Sequence, residues 1–454
     1  MATAVIDIGK SNAKLALVAD NGATLRILTT ANAVLHDGPY PHYDVDGLWR
    51  WILAGLRDFT ALADVATVSI TTHGACFALL AGDALALPVL DYEHDGPESL
   101  RADYTRARGE FSETLSPDLP NGLNAGRQIY WQSRTFPTEF AKVDAILPYP
   151  QYWAWRLTGA KAAEVTSLGC HTDLWNPGAR AYSRLAEREG WSELFPPLAN
   201  AWDVVGTILP AVATATGLAL ATRVVAGIHD SNASLWPHLL ARPQPFAVLS
   251  TGTWMVVFAP GGSLAGLDPE RDCLANVDPL GRAVPSARFM AGREFEIVAG
   301  HDGKAASPSS DDVARVVRDG IMALPTFVPG TGPFPDGDGR WSHDAAHLSP
   351  GERAAVASLY AALMAETCLA LAGAEGPVIV EGPFARNTLF LAALAQRTGR
   401  PAIGHEDSTG TIHGAAILAE GARPAHAPIK DPPATPALAI DLDAYARLWG
   451  SQLR

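Results

Sequence analysis

Two short apolar runs flank a polar, glycine-containing turn near the start of the chain. Val5, Ile6 and Ile8 lie on one side, and Leu15, Ala16, Leu17 and Val18 on the other. Both runs are too short for a helix and pattern as neighbouring buried strands, so the stretch predicts a hairpin. The same pattern returns at residues 246–259, where two apolar runs flank Ser250-Thr251-Gly252-Thr253-Trp254. A hairpin repeated a little more than half a chain later predicts two related domains, one opened by each hairpin and facing each other across a cleft.

The pattern between the hairpins fills in the elements. Residues 24–30 read as a third strand, and residues 45–62 as a helix with Leu48, Trp51, Ile52, Leu56 and Phe59 on one face. A strand at 66–70 runs into Thr71-Thr72-His73-Gly74, another follows at 77–80, and a polar loop spans Asp91 to Asp95. Residues 104–126 are irregular, 128–134 and 149–157 are aromatic and helical in pattern, and Gly159 closes the second of these helices. A β-branched strand ends at Gly227, and His229-Asp230 then precedes a helix start. The proline-bearing stretch 237–245 reads as a linker, which divides the chain into domains 1–242 and 243–454. Beyond it lie an alanine-rich helix at 350–374, long and apolar enough to be buried between layers, a strand at 377–380 with a following helix to about 397, and a small-residue helix at 411–420. In that small-residue helix Gly414, Ala415 and Ala416 permit close packing. A proline-rich crossover at 424–436 and an amphipathic helix at 441–453 complete the reading. Strand–loop–helix order in both halves predicts an α/β fold.

The chain has 454 residues, more than one ordinary core accommodates. Its formal charge of −14 argues against non-specific binding to nucleic acid or an anionic membrane, so an anionic ligand needs a local site working against the overall field. Cys76, Cys170, Cys273 and Cys368 are widely spaced with no paired motif, which points away from zinc sites and disulfides and towards a reducing cytoplasm. No signal-peptide pattern opens the chain, and charge, Gly or Pro interrupts every apolar run before it reaches the length of a membrane span. A cytoplasmic protein acting on small molecules, as a monomer or homodimer, is expected.

Candidate chemistry collects at strand ends, where open α/β sheets place ligands. The first turn carries Lys10, Ser11, Asn12 and Lys14, whose N–H and ammonium groups suit phosphate, and Asp7 before it can hold a magnesium-bound water. The same residues also read as an ordinary hairpin with an Asp in its turn. His73 and Gly74 lie at another strand end, where a histidine can bind a ligand or merely cap the strand. Asp230 can accept a proton from a substrate hydroxyl while His229 orients that substrate. An N-cap Asp has the same local sequence.

Taken together in this order, these segments resemble the carbohydrate kinases of the FGGY family over nearly the whole chain. Asp7-Ile8-Gly9-Lys10-Ser11-Asn12-Ala13-Lys14 resembles that family's first phosphate turn, with Lys14 where an Arg usually stands and Lys10 in place of a small residue. Gly227-Ile228-His229-Asp230 resembles the catalytic-base segment, Ser250-Thr251-Gly252-Thr253-Trp254 the second phosphate turn, and residues 377–403 the adenosine region. Glu381-Gly382-Pro383 stands where a run of glycines is usual. The pairing of His-Asp with Gly-Thr-Trp is most similar to the rhamnulokinase and fuculokinase branch. The resemblance implies duplicated actin-like (ribonuclease H-like) domains with a central cleft, ATP and Mg2+ as cofactors, and phosphoryl transfer to a sugar hydroxyl. It implies Asp230 as catalytic base. By that likeness Gly74, His229 and Asp230 would meet the sugar, and Thr253 and Gly382 the nucleotide. His73 and Glu93 are further sugar-side candidates, and Lys10, Ser11, Asn12, Lys14, Thr251, Gly252 and Asn387 further nucleotide-side candidates. Asp7 and Asp230 would lie at the metal. A non-catalytic sugar or nucleotide sensor of the same fold is the rival class, and retention of both aspartates argues against it.

Overall fold

The computed structural model describes residues 1–405, 410–422, 429 and 431–453. It divides into two compact units. The first comprises Met1–Arg242, Ala275–Ala283 and Thr409–Ile429, and the second Pro243–Leu274, Val284–Ser408 and Lys430–Arg454.

In the first unit, β1 (Ala2–Ile8), β2 (Asn12–Ala19) and β3 (Thr24–Ala31) form an antiparallel meander. Helix α1 (Val45–Thr60) follows, its start fixed by the Asp44 side chain, which accepts the Gly47 N–H at 2.7 Å. Strand β4 (Val65–Thr72) then pairs parallel to β1. The short helix α2 (Val165–Leu168) precedes β5 (Val204–Thr207), β6 (Arg223–Val225), β7 (Ile228–His229) and helix α3 (Asp230–Ala241). The sheet order is β5-β6-β4-β1-β2-β3, with β7 also beside β4. Side chains alternate between its faces, as the pleat requires. Ile6, Ile8, Leu15 and Leu17 share a core with Leu48, Ile52, Leu56 and Phe59 of α1. Val5, Ala16 and Val18 belong to a separate core with Ala233 and Trp236 of α3.

The linker expected at 237–245 is shorter than its prolines suggested, because Pro237 lies inside α3. A proline lacks the N–H that would bond the carbonyl four residues back, so the Ala233 carbonyl is left free within the helix.

The second unit is built on the same plan. Strands β8 (Ala247–Thr251), β9 (Met255–Phe258), β10 (Cys273–Val277, whose residues from Ala275 on are counted in the first unit) and β11 (Ala283–Phe289) precede helices α4 (Ala291–Gly303) and α5 (Pro350–Leu371). Then come β12 (Val378–Glu381), helix α6 (Thr388–Thr398) and β13 (Ala402–His405). The sheet order is β10-β11-β9-β8-β12-β13, with β8, β12 and β13 mutually parallel. An antiparallel β8-β9-β11 meander beside parallel β12 and β13 repeats the β1-β2-β3 meander beside β4 and β6. This matches the duplication expected from the paired hairpins.

Helix α5 corrects the expectation that no apolar run reaches membrane-span length. Its 22 residues are long and apolar enough to cross a membrane. Its composition has another cause, since 78% of its most apolar window is buried within the protein core. The chain then returns to the first unit with α7 (Gly410–Leu418), whose Ile412 and Ala415 join the core of Val5 and Trp236. Ser69 Oγ donates to the Ala415 carbonyl at 2.6 Å and ties α7 to β4. The last helix spans Asp443–Ser451. Of the crossover expected at 424–436, residues 424–428 and 430 lie outside the described residues.

Candidate active site

The parallel pairing of β1, β4 and β7 brings three strand ends together. Asp7 is in register with Thr71, and Thr71 with Ile228. Asp230 follows two residues beyond Ile228, at the C-terminal edge of the sheet where ligands bind in such folds. Asp7 is buried, and its carboxyl is pushed up to about 7, chiefly by that burial, then by the charge of Asp230 and against the pull of Lys14. Lys14 Nζ lies 4.0 Å from the Asp7 carboxylate.

His229 occupies the N-cap position of α3 without a side-chain capping bond, and Asp230 is the first helical residue. Asp230 Oδ1 accepts the Ser231 N–H at 2.6 Å and lies 3.2 Å from His229 Nε2. Burial lowers the pKa of His229 and keeps its imidazole neutral beside that carboxylate. Gly74 leaves room for this ring, since a Cβ there would fall 2.8 Å from His229 Nε2. His73 is held down to about 4 by burial. Its Nδ1 is 2.9 Å from the Gly74 carbonyl, which fixes the proton on Nδ1 and leaves Nε2 as a bare acceptor. His73 Nε2, Thr71 Oγ1, His229 Nδ1 and both amide atoms of Asn232 are buried without protein partners. Buried polar atoms in this state are what a polyhydroxy ligand or its water would satisfy.

The first turn is closed by Gly9 N–H donating to the Asn12 carbonyl at 2.9 Å, and the Asn32 side chain braces it by donating to Gly9 O at 2.9 Å. Ser11, Asn12 and Lys14 are exposed along it. Lys10 takes a different direction. Its ammonium donates to Asp91 at 2.6 Å, lies 3.4 Å from Glu93, and stacks over the Tyr43 and Tyr92 rings. The structure thus gathers Lys10 with Glu93 at the acidic loop.

In the second unit, the turn after β8 is closed by Gly252 N–H donating to Trp254 O at 2.8 Å. Thr251 Oγ1 donates to the Glu381 carbonyl and accepts the Phe384 N–H at 3.2 Å, joining the ends of β8 and β12. Gly382 sits there at φ +82°, and a Cβ would fall 2.0 Å from Thr251 O. A cavity of about 740 Å³ opens beside this junction, lined among others by Gly252, Thr253, Phe295, Phe384, Arg386 and Asn387. Asn387 Oδ1 caps α6 by accepting Phe390 N–H at 3.0 Å, and its Nδ2 donates to Ser358 Oγ at 3.0 Å.

Sequence reading missed two residues beside the candidate base. Glu164 is fully buried, and its Oε2 accepts the Thr166 N–H at 3.0 Å and the Thr166 hydroxyl. Thr166 Oγ1 in turn accepts the His229 N–H at 3.0 Å. Burial pushes the Glu164 carboxyl up to about 8 despite these hydrogen bonds, and Asp278 adds to the rise. The folded protein therefore holds a proton that the unfolded chain releases near the ordinary value of 4.5. Stability falls as pH rises through that window to about 8. Glu164→Gln should flatten the slope, which melting temperatures at about pH 5 and about pH 9 would show. An unchanged slope would place the titration elsewhere.

Comparison with known proteins agrees with this architecture. Residues 118–236 match the N-terminal domain of the FGGY family of carbohydrate kinases, and residues 243–428 match the C-terminal domain of carbohydrate kinase FGGY. A carbohydrate kinase structure from Novosphingobium aromaticivorans is 39% identical, with TM-score 0.92, covering 100% of this chain and 98% of that one. Xylulose kinase from Escherichia coli is 25% identical over 56% of this chain and 53% of its own length. L-fuculokinase from Salmonella typhi is 23% identical over 57% of each. The chain thus matches a little over half the length of these curated relatives.

Proposed function

Because the chain belongs to the FGGY family of carbohydrate kinases, we propose that it transfers the γ-phosphoryl group of ATP to a hydroxyl of a neutral ketose. The observation that carries this reading is the buried Asp7 carboxyl beside Asp230 at the converging strand ends. A desolvated carboxyl within electrostatic reach of a second carboxylate is stabilised by a proton or a nearby cation.

That donor set fits Mg2+, which is held by one or two carboxylates plus water and substrate phosphate. Asp7 and Asp230 would hold it, and the bound ion would supply charge neutralisation at the phosphates. Asp230 takes the proton of the attacking hydroxyl. His229 and His73 orient the sugar by accepting hydroxyl hydrogen bonds at Nδ1 and Nε2. Gly74 and Glu93 complete the sugar side. Lys14, with Ser11 and Asn12, and Thr253, with Thr251 and Gly252, serve the phosphates. Asn387 borders the nucleotide cavity and Gly382 precedes its lining residue Pro383, and the edge-to-face rings of Phe295 and Phe384 give the base an apolar floor.

Asp91, Glu93 and Asp230 outnumber Lys10 on the sugar side, which favours an uncharged substrate. A 6-deoxyketohexose such as L-rhamnulose or L-fuculose is the first reading. A ketopentose such as xylulose or ribulose is the second, favoured by the xylulose kinases among the relatives. We place the activity in the cytoplasm. ADP release measured with L-rhamnulose, L-fuculose, xylulose, ribulose and glycerol tests the assignment. Turnover of one ketose supports it. Sugar-induced thermal stabilisation with no ADP release would make the protein a sensor.

Lys14→Ala should raise the ATP KM or lower kcat about tenfold, the scale of one charge-assisted phosphate contact, with sugar affinity unchanged. Equal loss of sugar affinity by calorimetry would remove Lys14 from the nucleotide side.

A further inference from the structure

We propose that Glu164 and Thr166 are a positioning pair that fixes the backbone at His229 and thereby aims the Asp230 carboxylate. The chain geometry is short and directional. Glu164 Oε2 accepts the Thr166 hydroxyl proton, so the hydroxyl oxygen must act as an acceptor towards its other neighbour. That neighbour is the His229 N–H, at 3.0 Å. His229 is the residue from which α3 departs, and Asp230 is the first residue of that helix. The hydrogen bond therefore pins the hinge between β7 and α3, one residue before the candidate base.

Two further observations make this more than a local loop bond. The turn that carries Thr166 also brings Cys170 Sγ to 3.6 Å from His229 Nε2, so one short segment contacts His229 at both backbone and ring. Glu164 is also an expensive residue for a purely structural task. It is 0% exposed, and its Oε1 has no partner, so an apolar side chain would pack there at less cost. What the carboxyl adds, and an apolar side chain cannot, is a cap on the start of α2 and, through the same oxygen, a fixed orientation of the Thr166 hydroxyl. Small misplacements of a reacting group cost up to about 10²-fold in rate, so a device that holds Asp230 in line has a function to serve.

The inference rests on Asp230 being the base, and the experiment separates the two claims. Thr166→Val keeps shape and removes the hydroxyl, whereas Thr166→Ser keeps the hydroxyl. Glu164→Gln keeps an acceptor, whereas Glu164→Met removes it. Each is assayed for kcat and KM with whichever of L-rhamnulose and xylulose releases ADP faster, for melting temperature, and for hydrogen exchange of the peptide containing His229. Thr166→Val and Glu164→Met should each lower kcat about 10- to 100-fold with both KM values nearly unchanged and exchange at His229 accelerated. Thr166→Ser and Glu164→Gln should restore kcat to within about threefold. The double variant Thr166→Val with Glu164→Met should lose no more than either alone, as expected for residues acting in one chain.

Full kcat in Thr166→Val, or additive losses in the double variant, would overturn the proposal. If Thr166→Val does not fold, the contrast between Glu164→Met and Glu164→Gln decides in its place, and equal kcat in those two overturns it. Asp230→Asn run alongside distinguishes the failures. A full rate there removes the base reading, while an inactive Asp230→Asn with a normal Thr166→Val removes only the positioning pair.

Discussion

Asp230→Asn is expected to lower kcat by about 10²–10⁴-fold, the usual worth of a positioned general base. A sugar hydroxyl is a weak nucleophile at neutral pH, so its proton must pass to a carboxylate as the bond to phosphorus forms. Asn preserves the size of the side chain and can still accept the Ser231 N–H, but it cannot take that proton. The N-cap alternative left open by the sequence predicts the opposite, since Asn caps helices about as well as Asp. In the structure His229 holds the N-cap position, while Asp230 Oδ1 accepts from Ser231 and lies 3.2 Å from His229 Nε2. Sugar and ATP affinities should survive the substitution, and the melting temperature should stay within a few degrees. Measuring kcat and melting temperature on the same purified variant checks the assignment. A near-normal kcat would reject it.

Gly414→Ala should be the most damaging small substitution for stability. A Cβ at Gly414 would stand 1.7 Å from the Ala233 carbonyl oxygen and 3.2 Å from Pro237 Cδ. Both obstacles belong to α3 and neither is a flexible side-chain tip, so α3 and α7 must separate. The contact exists because Pro237 has no N–H to offer the Ala233 carbonyl, which leaves that oxygen open to α7. Overpacking of a tight interior costs 1–3 kcal/mol and sometimes more, so about 3 kcal/mol is expected here. For a domain of this size that lowers the melting temperature by roughly 6–12 °C. The catalytic rate should fall as well, because α3 carries Asp230 at its first turn. A variant with unchanged melting temperature would mean that the two helices pack less closely than described.

What could be read from the sequence follows from range. The paired hairpins and the close-packing Gly414 helix were legible because strand period and residue size are local properties. Asp7 and Asp230 could be singled out because each ends an apolar strand. Pro237 misled because proline usually breaks helices, and only the packing of α7 against α3 shows why one is accommodated there. Thr166 was invisible because its acceptor bond to His229 spans 63 residues. Lys10 was grouped with its turn because nothing nearby announces Asp91, 81 residues away. Local pattern reveals elements and their ends, whereas hydrogen bonds that cross between elements appear only once the elements are packed.

The placement of α7 bears on how the protein is made. The core of Val5, Ala16, Ala233 and Trp236 needs Ile412 and Ala415 to cover it. A ribosome must therefore translate the whole stretch from Arg242 to Gly410 before the first unit can finish folding. At bacterial to eukaryotic elongation rates of about 5–20 residues per second, that wait is on the order of ten to thirty seconds. During it the nascent first unit exposes an apolar seat for a helix that does not yet exist, which makes this surface the natural one for a chaperone to shield.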